Sequence, residues 1–253
     1  MTGTPVIRGA AGVAVFLAAV ELAVRFTLAE GVVFPPPSVV LREAAFLVAD
    51  PDFLAGVAAT LLNWALGLLV AVAVAVPAGV ALGTLPAAER AARPLLEFMR
   101  PIPSVAIIPL AILLIPVDTA MKAAVIVYAS VWPVLINTLY GMREVDPLAK
   151  DSLRSFGFGR LAVLWRVSLP SAAPFMATGV RIAAGVALIL AVSAELLAGG
   201  SAGIGVYVIK AGSGNRTDLM LAATLWAGAA GLLANTLLQA AERRLFRWHE
   251  AGT

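Results

Sequence analysis

The chain has 253 residues, 61% of them hydrophobic and only 13% charged, with a net charge of +3. At a mean hydropathy of +0.95 there are too few charged side chains to cover the apolar surface of a soluble domain, so the chain belongs in a bilayer. The absence of cysteine excludes disulfides, thiolate metal ligands and cysteine nucleophiles, and the cations are scattered between apolar segments rather than gathered into a nucleic-acid patch.

A helix needs about 20 mostly apolar residues to cross the hydrocarbon core, and lipid gives the backbone no hydrogen-bond partners, so each such run is read as a helix. The first run, near 9–29, carries Glu21 and Arg25 one turn apart on one face, where they can pair. It reads as a span rather than a cleaved leader, because it is long, charged, preceded only by Arg8 and followed by five more runs. An outer loop, about 30–56, carries Phe34-Pro35-Pro36-Pro37-Ser38, in which Ser38 suits the N-cap of a short amphipathic helix along the interface. Spans two to four fall near 57–84, 102–117 and 120–141, the third short and proline-rich. In the second, Gly79 and Gly83 form a small-xxx-small pair that lets a neighbouring helix come close.

The loop from about 142 to 174 is the most polar stretch of the chain. It runs Asp146-Pro147-Leu148-Ala149-Lys150-Asp151-Ser152-Leu153-Arg154-Ser155-Phe156-Gly157 and later Val167-Ser168-Leu169-Pro170, a pattern of helix, break and helix. Pro147 suits a first helical turn, Gly157 and Gly159 can adopt the positive φ that stops a helix, and Pro170 limits the next helix before the fifth span begins. That span, near 175–198, holds Arg181 and Glu195. They lie four turns and about 21 Å apart along the axis, too far to pair, with Arg181 placed to snorkel toward the inner headgroups and Glu195 toward the outer end. The sixth span falls near 218–239, ahead of a tail with Arg243, Arg244, Arg247 and His249. No tandem repeat is visible, and residues 1–253 read as a single membrane domain.

Orientation follows from Lys and Arg in the connecting segments. With the N-terminus inside, the inner segments hold 12 of them, and the outer ones hold only Arg42, Lys122, Lys210 and Arg216. That bias puts both termini in the cytoplasm.

Chemistry of the usual kinds has no material here. The chain lacks the GxxxxGK[ST] loop whose amides and lysine cradle nucleotide phosphates. Its one histidine, His249, lies in the tail, so no triad, zinc site or histidine relay is expected within the bilayer. No catalytic residue, metal site or bound cofactor is therefore expected.

The polar loop resembles the EAA loop of permease subunits of binding-protein-dependent ABC importers, whose pattern is Glu-Ala-Ala, a glycine six residues after the Glu, then Ile-x-Leu-Pro. Asp151, Ser152 and Leu153 stand at the Glu-Ala-Ala positions, Gly157 at the glycine, and Val167, Leu169 and Pro170 close the pattern. The resemblance extends over most of the chain and is nearest the sulfonate, nitrate and taurine branch. Its further marks are Phe34 to Ser38, Arg100-Pro101-Ile102-Pro103, then Pro133, Asn137, Thr138 and Gly141, followed by Thr178 to Ile182, Ala194-Glu195 and Gly203-Ile204-Gly205.

The resemblance implies an all-α bundle of about six transmembrane helices with the type I ABC importer permease fold, in the bacterial plasma membrane. It implies as partners a second permease copy, two ATPase subunits that hold ATP and Mg, and an extracytoplasmic substrate-binding protein, besides membrane lipid and without nucleic acid. Asp151, Ser152, Leu153, Arg154, Gly157, Val167, Leu169 and Pro170 would couple to the ATPase. Asn63, Tyr128, Ser130, Asn137, Arg181, Ser193 and Glu195 are the polar candidates for the pathway or its gate. The branch implies a small anion such as a sulfonate, taurine or nitrate as cargo, and its relatives leave a thiamine pyrimidine or riboflavin open. An ion-driven carrier would call for matched broken helices in two related halves and more buried acids, and an assembly protein would need no loop of this spacing.

Overall fold

The protein, described here by a computed structural model over residues 3–26 and 34–246, is helical throughout the described residues, with no strand among them. The end of the first run past residue 26, the start of the outer loop, Arg247 and His249 lie outside them. Within them eleven α-helices follow one another: α1 Gly3–Phe26, α2 Pro37–Leu47, α3 Pro51–Thr84, α4 Pro86–Met99, α5 Ile108–Leu114, α6 Asp118–Arg143, α7 Pro147–Ser155, α8 Arg160–Val163, α9 Leu169–Ala198, α10 Ile204–Ser213 and α11 Thr217–Leu245.

Among the described residues, five stretches are long and apolar enough to cross a bilayer: Ile7–Phe26, Pro51–Thr84, Asp118–Arg143, Arg160–Ala198 and Thr217–Leu245. Counted as one span, a bent pair makes a sixth. Helix α4 and the segment Ser104–Leu114, a 3-10 turn leading into α5, meet at 81°. The short, proline-rich span expected near 102–117 is thus represented by the second arm of this bent pair, Ser104–Leu114. Pro101 and Pro103 cannot donate to a helical ladder, and each disfavours helical geometry in the residue before it.

Long helix α3 starts on a strong signal. The Asp50 carboxylate caps it, accepting from the N–H groups of Asp52 at 2.9 Å and Phe53 at 3.3 Å, and Pro51 fills the first position. It stops at Thr84, just before Leu85-Pro86. The fifth crossing also differs from expectation. Pro170 does not delay the helix, which runs from Arg160 to Ala198 as one 39-residue stretch. The ladder opens instead into a π-helical turn, Leu164–Ser168, in which the Leu169 N–H reaches the Leu164 carbonyl. A wider turn accommodates the N–H that Pro170 lacks and the bulk of its ring.

At the centre lies α6, between α3 and α9. Small residues make this possible. Along α3 they recur every fourth position as Gly67, Ala71, Ala75, Gly79 and Gly83, which puts them on one face. A Cβ on Gly67 would come within 2.5 Å of Ile126, and one on Gly79 within 2.7 Å of Thr138. On the other side, Gly179 of α9 meets Asn137 and the Pro133 carbonyl, and Ala183, Ala184, Ala187 and Ala191 are buried beside it. Without a hydrophobic drive between helices in lipid, such close backbone approach is the main source of packing energy. The Gly79 and Gly83 pair thus belongs to a longer stripe.

The indole N–H of Trp64 on α3 donates to the Ala184 carbonyl of α9 at 2.8 Å, tying those helices directly. Helix α11 lies at the periphery against α2, α9 and α10, and its Trp226 N–H donates to the Ala44 carbonyl of α2 at 2.8 Å. Helix α1 touches mainly α2 and exposes Val15, Phe16 and Phe26, as a lipid-facing helix does.

Candidate functional site

Two polar constructions stand at opposite ends of the bundle. One end gathers the close of α3, the close of α6 and helices α7 and α8 around a cavity of about 670 Å³ lined by Gly83, Met142, Lys150, Arg154, Arg160 and Ser168. Helix α7 belongs to this end. Its N-terminus is capped by Asp146, whose carboxylate accepts from the Leu148 N–H at 2.8 Å, with Pro147 in the first position. At its other end Gly157 takes φ +83°. The Gly157 N–H donates to the Arg154 carbonyl at 2.9 Å and the Phe158 N–H to the Leu153 carbonyl at 3.2 Å. Those two bonds define a Schellman stop, which needs a residue at ease in left-handed geometry.

The nine-residue α7 projects from the bundle, with α8 and the π-helical turn as its chief neighbours. Several of its polar side chains are engaged locally, while Lys150 lines the cavity. Arg154 pairs with Asp151 at 2.9 Å, and Ser152 donates to the Leu148 carbonyl at 2.8 Å. What it offers outward is mixed: beside the exposed Asp151–Arg154 pair, Leu148 and Phe156 are exposed, as are Leu161 and Trp165 just beyond it, while Arg166 lies over the Phe158 ring. A rigid short helix with exposed large apolar side chains is fit for docking. Val167 lies in the π-helical turn, and Leu169 and Pro170 open α9, so the second half of the motif sits inside the continuous helical stretch that follows the turn after α7.

At the opposite end sits Glu195, fully buried. The Thr60 hydroxyl lies 2.8 Å and 2.9 Å from its two oxygens, and the Gly205 N–H donates to it at 2.9 Å. Thr60 in turn accepts from the Ile204 N–H at 2.9 Å. Helix α10 has no side-chain cap of its own, so its first N–H groups are met by side chains of α3 and α9, where a carboxylate also suits the helix dipole. The turn before α10 needs glycine: Gly203 has φ +154°, and a Cβ there would come within 2.4 Å of the Glu195 carboxyl carbon. Nearby, Lys122 is fully buried, pairs with Asp118 at 2.7 Å and lies against Gly200. A buried ion in a membrane helix persists only when paired in this way.

Helix α2 is capped likewise. Glu21 of α1 accepts from the Ser38 N–H at 2.9 Å and its hydroxyl at 2.8 Å, and pairs with Arg25 at 2.6 Å. The expected Glu21–Arg25 pair is present. Ser38 is not the N-cap, however. That position is Pro36, and the oxygen that serves the helix end comes from another helix.

The remaining candidates are scattered. Asn63 and Ser130 are buried, and the Ser130 hydroxyl has no partner. Tyr128 donates to the Met99 carbonyl at 3.1 Å, and the Asn137 amide donates to the Pro133 carbonyl at 2.8 Å. Ser193 is half-buried on α9. Arg181 does not reach for headgroups but pairs with Glu242 of α11 at 3.3 Å, and Thr178 donates to the same carboxylate at 2.8 Å. None of the seven lines any of four cavities found in the described residues. Sequence reasoning passed over Thr60 and Lys122 as site residues. The signal available for Lys122 was its place one turn after Asp118 at the head of an apolar run.

Residues 71–247 match the family described as the inner membrane component of binding-protein-dependent transport systems. The chain is 33% identical over 220 residues to the taurine transport system permease protein TauC of Escherichia coli, covering 85% of this chain and 80% of that one. It is 34% identical to a probable ABC transporter permease protein of Brucella abortus, over 88% and 89% of the two chains. To the bicarbonate transport system permease protein CmpB of Synechocystis it is 30% identical, over 66% and 60%.

Proposed function

The chain belongs to the inner-membrane permease components of binding-protein-dependent ABC importers, and from that premise we propose that it passes a small anion across the membrane while α7 transmits the strokes of a separate ATPase. The observation that carries the coupling role is α7 itself. It is capped at both ends, exposes Leu148 and Phe156, and leads through the short turn at 156–159 into the continuous helical stretch Arg160–Ala198 that contains the core span α9.

The mechanism follows from stiffness. An ATPase subunit closing on ATP and Mg moves the helix lodged in its surface. Because α8, the π-helical turn and α9 form one stretch, the displacement passes along α9 toward Glu195 and the α10 turn at the far end. Packed interfaces of small residues have discrete arrangements rather than continuous ones, so such a push switches the bundle between two states. The residues named in the loop carry force and no chemistry, and hydrolysis belongs to the partner.

Both termini lie in the cytoplasm on this reading. The cation bias supports it, as does the sorting of Arg143, Lys150, Arg154 and Arg160 to one end and Arg42 and Arg216 to the other, where Arg216 pairs with Asp218 at 2.8 Å. A second copy of the chain completes the pathway, and an external binding protein delivers the cargo. The names of the taurine and bicarbonate relatives support an anion. Uptake of labelled taurine or bicarbonate by vesicles holding the chain with its ATPase and binding protein tests the assignment. ATP-dependent accumulation is expected, and accumulation that ignores ATP or follows an ion gradient contradicts it.

A further inference from the structure

The broken crossing shelters a cavity that none of the expected pathway residues touches. It has a volume of about 190 Å³ between α4 and the last three turns of α6, and its wall includes Glu89, Arg93, Glu97, Arg100, Trp132 and Arg143. Two of the three arginines are neutralised, Arg93 by Glu97 at 2.9 Å and Arg143 by Glu89. Arg100 has no carboxylate within ion-pair distance among the described residues, so the wall keeps one net positive charge. A second donor is also free: the Trp132 indole N–H is buried without a hydrogen-bond partner. A buried N–H left unpaired is costly, and a turn of the indole toward the cavity lets an oxygen of a bound group relieve it.

Arg100 stands at the 81° break between α4 and the segment that follows. There the Met99 carbonyl is taken by the Tyr128 hydroxyl at 3.1 Å and by the Ile102 N–H at 3.3 Å, so that carbonyl does not repel an anion. Interrupted helices in transport proteins place backbone ends and charged groups where lipid does not reach.

We propose that this cavity is a binding site for the transported anion on the inner half of its route, with the Arg100 guanidinium and the Trp132 indole N–H as donors. The proposal rests on the importer reading. Its ligand is a small oxyanion of the sulfonate or carbonate kind, whose oxygens match the planar fork of a guanidinium. The phosphate of an anionic lipid shares that chemistry, and the test separates the two sources.

The chain contains no cysteine, so Leu139→Cys places a single thiol of this subunit on the cavity wall. The full complex is reconstituted in phosphatidylcholine vesicles, and its permease subunit is modified with a sulfonate-bearing or a trimethylammonium-bearing methanethiosulfonate, read by mass. The sulfonate reagent should react severalfold faster than the cation, and adding Arg100→Gln should abolish that preference. Taurine should slow the sulfonate reagent when Arg100 is present and leave its rate unchanged once Arg100→Gln is added. Equal rates for the two reagents, a preference indifferent to Arg100→Gln, or protection given by phosphatidylglycerol and not by taurine overturns the proposal. Uptake by the same vesicles separates the two failures: if the importer reading is wrong the wild-type complex transports nothing, whereas if only the site is wrong Arg100→Gln transports as wild type does.

Discussion

Thr60 of α3 and Glu195 of α9, 135 residues apart in sequence, meet at 2.8 Å, and together they cap a third helix, α10, through the Ile204 and Gly205 N–H groups. Three helices are thus locked by one hydroxyl and one carboxylate. Thr60→Val removes a donor and an acceptor at once and leaves the Ile204 N–H and the carboxylate short of partners. The cost is about 1–3 kcal/mol, seen as a lower unfolding midpoint in detergent, whereas Thr60→Ser keeps the hydroxyl and most of the stability. Equal losses for Val and Ser would show that the methyl group, not the hydrogen bonds, matters there.

Helix α9 provides its own control for the packing of small residues. A Cβ on Gly179 would sit 2.8 Å from the Asn137 Cβ and 3.0 Å from the Pro133 carbonyl, while Gly185 has nothing within 4 Å. Gly179→Ala should destabilise the bundle by about 1–3 kcal/mol through overpacking. Gly185→Ala should be neutral or gain up to about 1 kcal/mol in helix propensity. Thermal unfolding of the two variants side by side decides the matter, and similar midpoints would contradict the close approach of α6 and α9.

The Tyr207 hydroxyl, on the short helix α10, donates to the Asp50 carboxylate at 2.9 Å. Burial first, then that hydrogen bond and the charge of Asp50, push its ionisation up from 10.0 to about 12. A phenol that holds its proton longer when folded contributes stability fully present below pH 10 and lost as the pH rises toward 12. The chain has three tyrosines, so subtracting the tyrosinate absorbance titration of Tyr207→Phe from that of wild type isolates this one. Its midpoint is expected near 12, and a midpoint near 10 would mean that the contact between Asp50, the cap of α3, and α10 does not form.

Much of the fold was legible in the sequence because its signals are local. Apolar run lengths located the five long crossings, Pro147 and Gly157 marked both ends of α7, and the spacing of Glu21 and Arg25 predicted their pair. What was not legible depends on partners distant in the chain. Ser38 looked like a cap, but the capping oxygen belongs to Glu21 on another helix. Pro170 looked like a helix limit, yet one wide turn absorbs it. Arg181 had no sequence neighbour to pair with, and Glu242, far along the chain on α11, supplies the carboxylate. Glu195 was recognised as unusual, but its role as a cap required knowing that Thr60 and the turn at Gly203 arrive at the same point.

The coupling role of α7 is tested most directly by ATP hydrolysis in the reconstituted complex with its binding protein, comparing wild type with Gly157→Asn and Gly157→Asp. Nothing lies within 4 Å of a Cβ at Gly157, so the penalty comes from its positive φ alone, which Asn tolerates better than most residues. Gly157→Asp adds an unpaired negative charge next to the exposed Phe156 ring. Binding-protein-stimulated hydrolysis should be largely kept in Gly157→Asn and lost in Gly157→Asp, while the unfolding midpoint of the membrane bundle stays the same. Unchanged stimulated hydrolysis and uptake in Gly157→Asp would contradict the account.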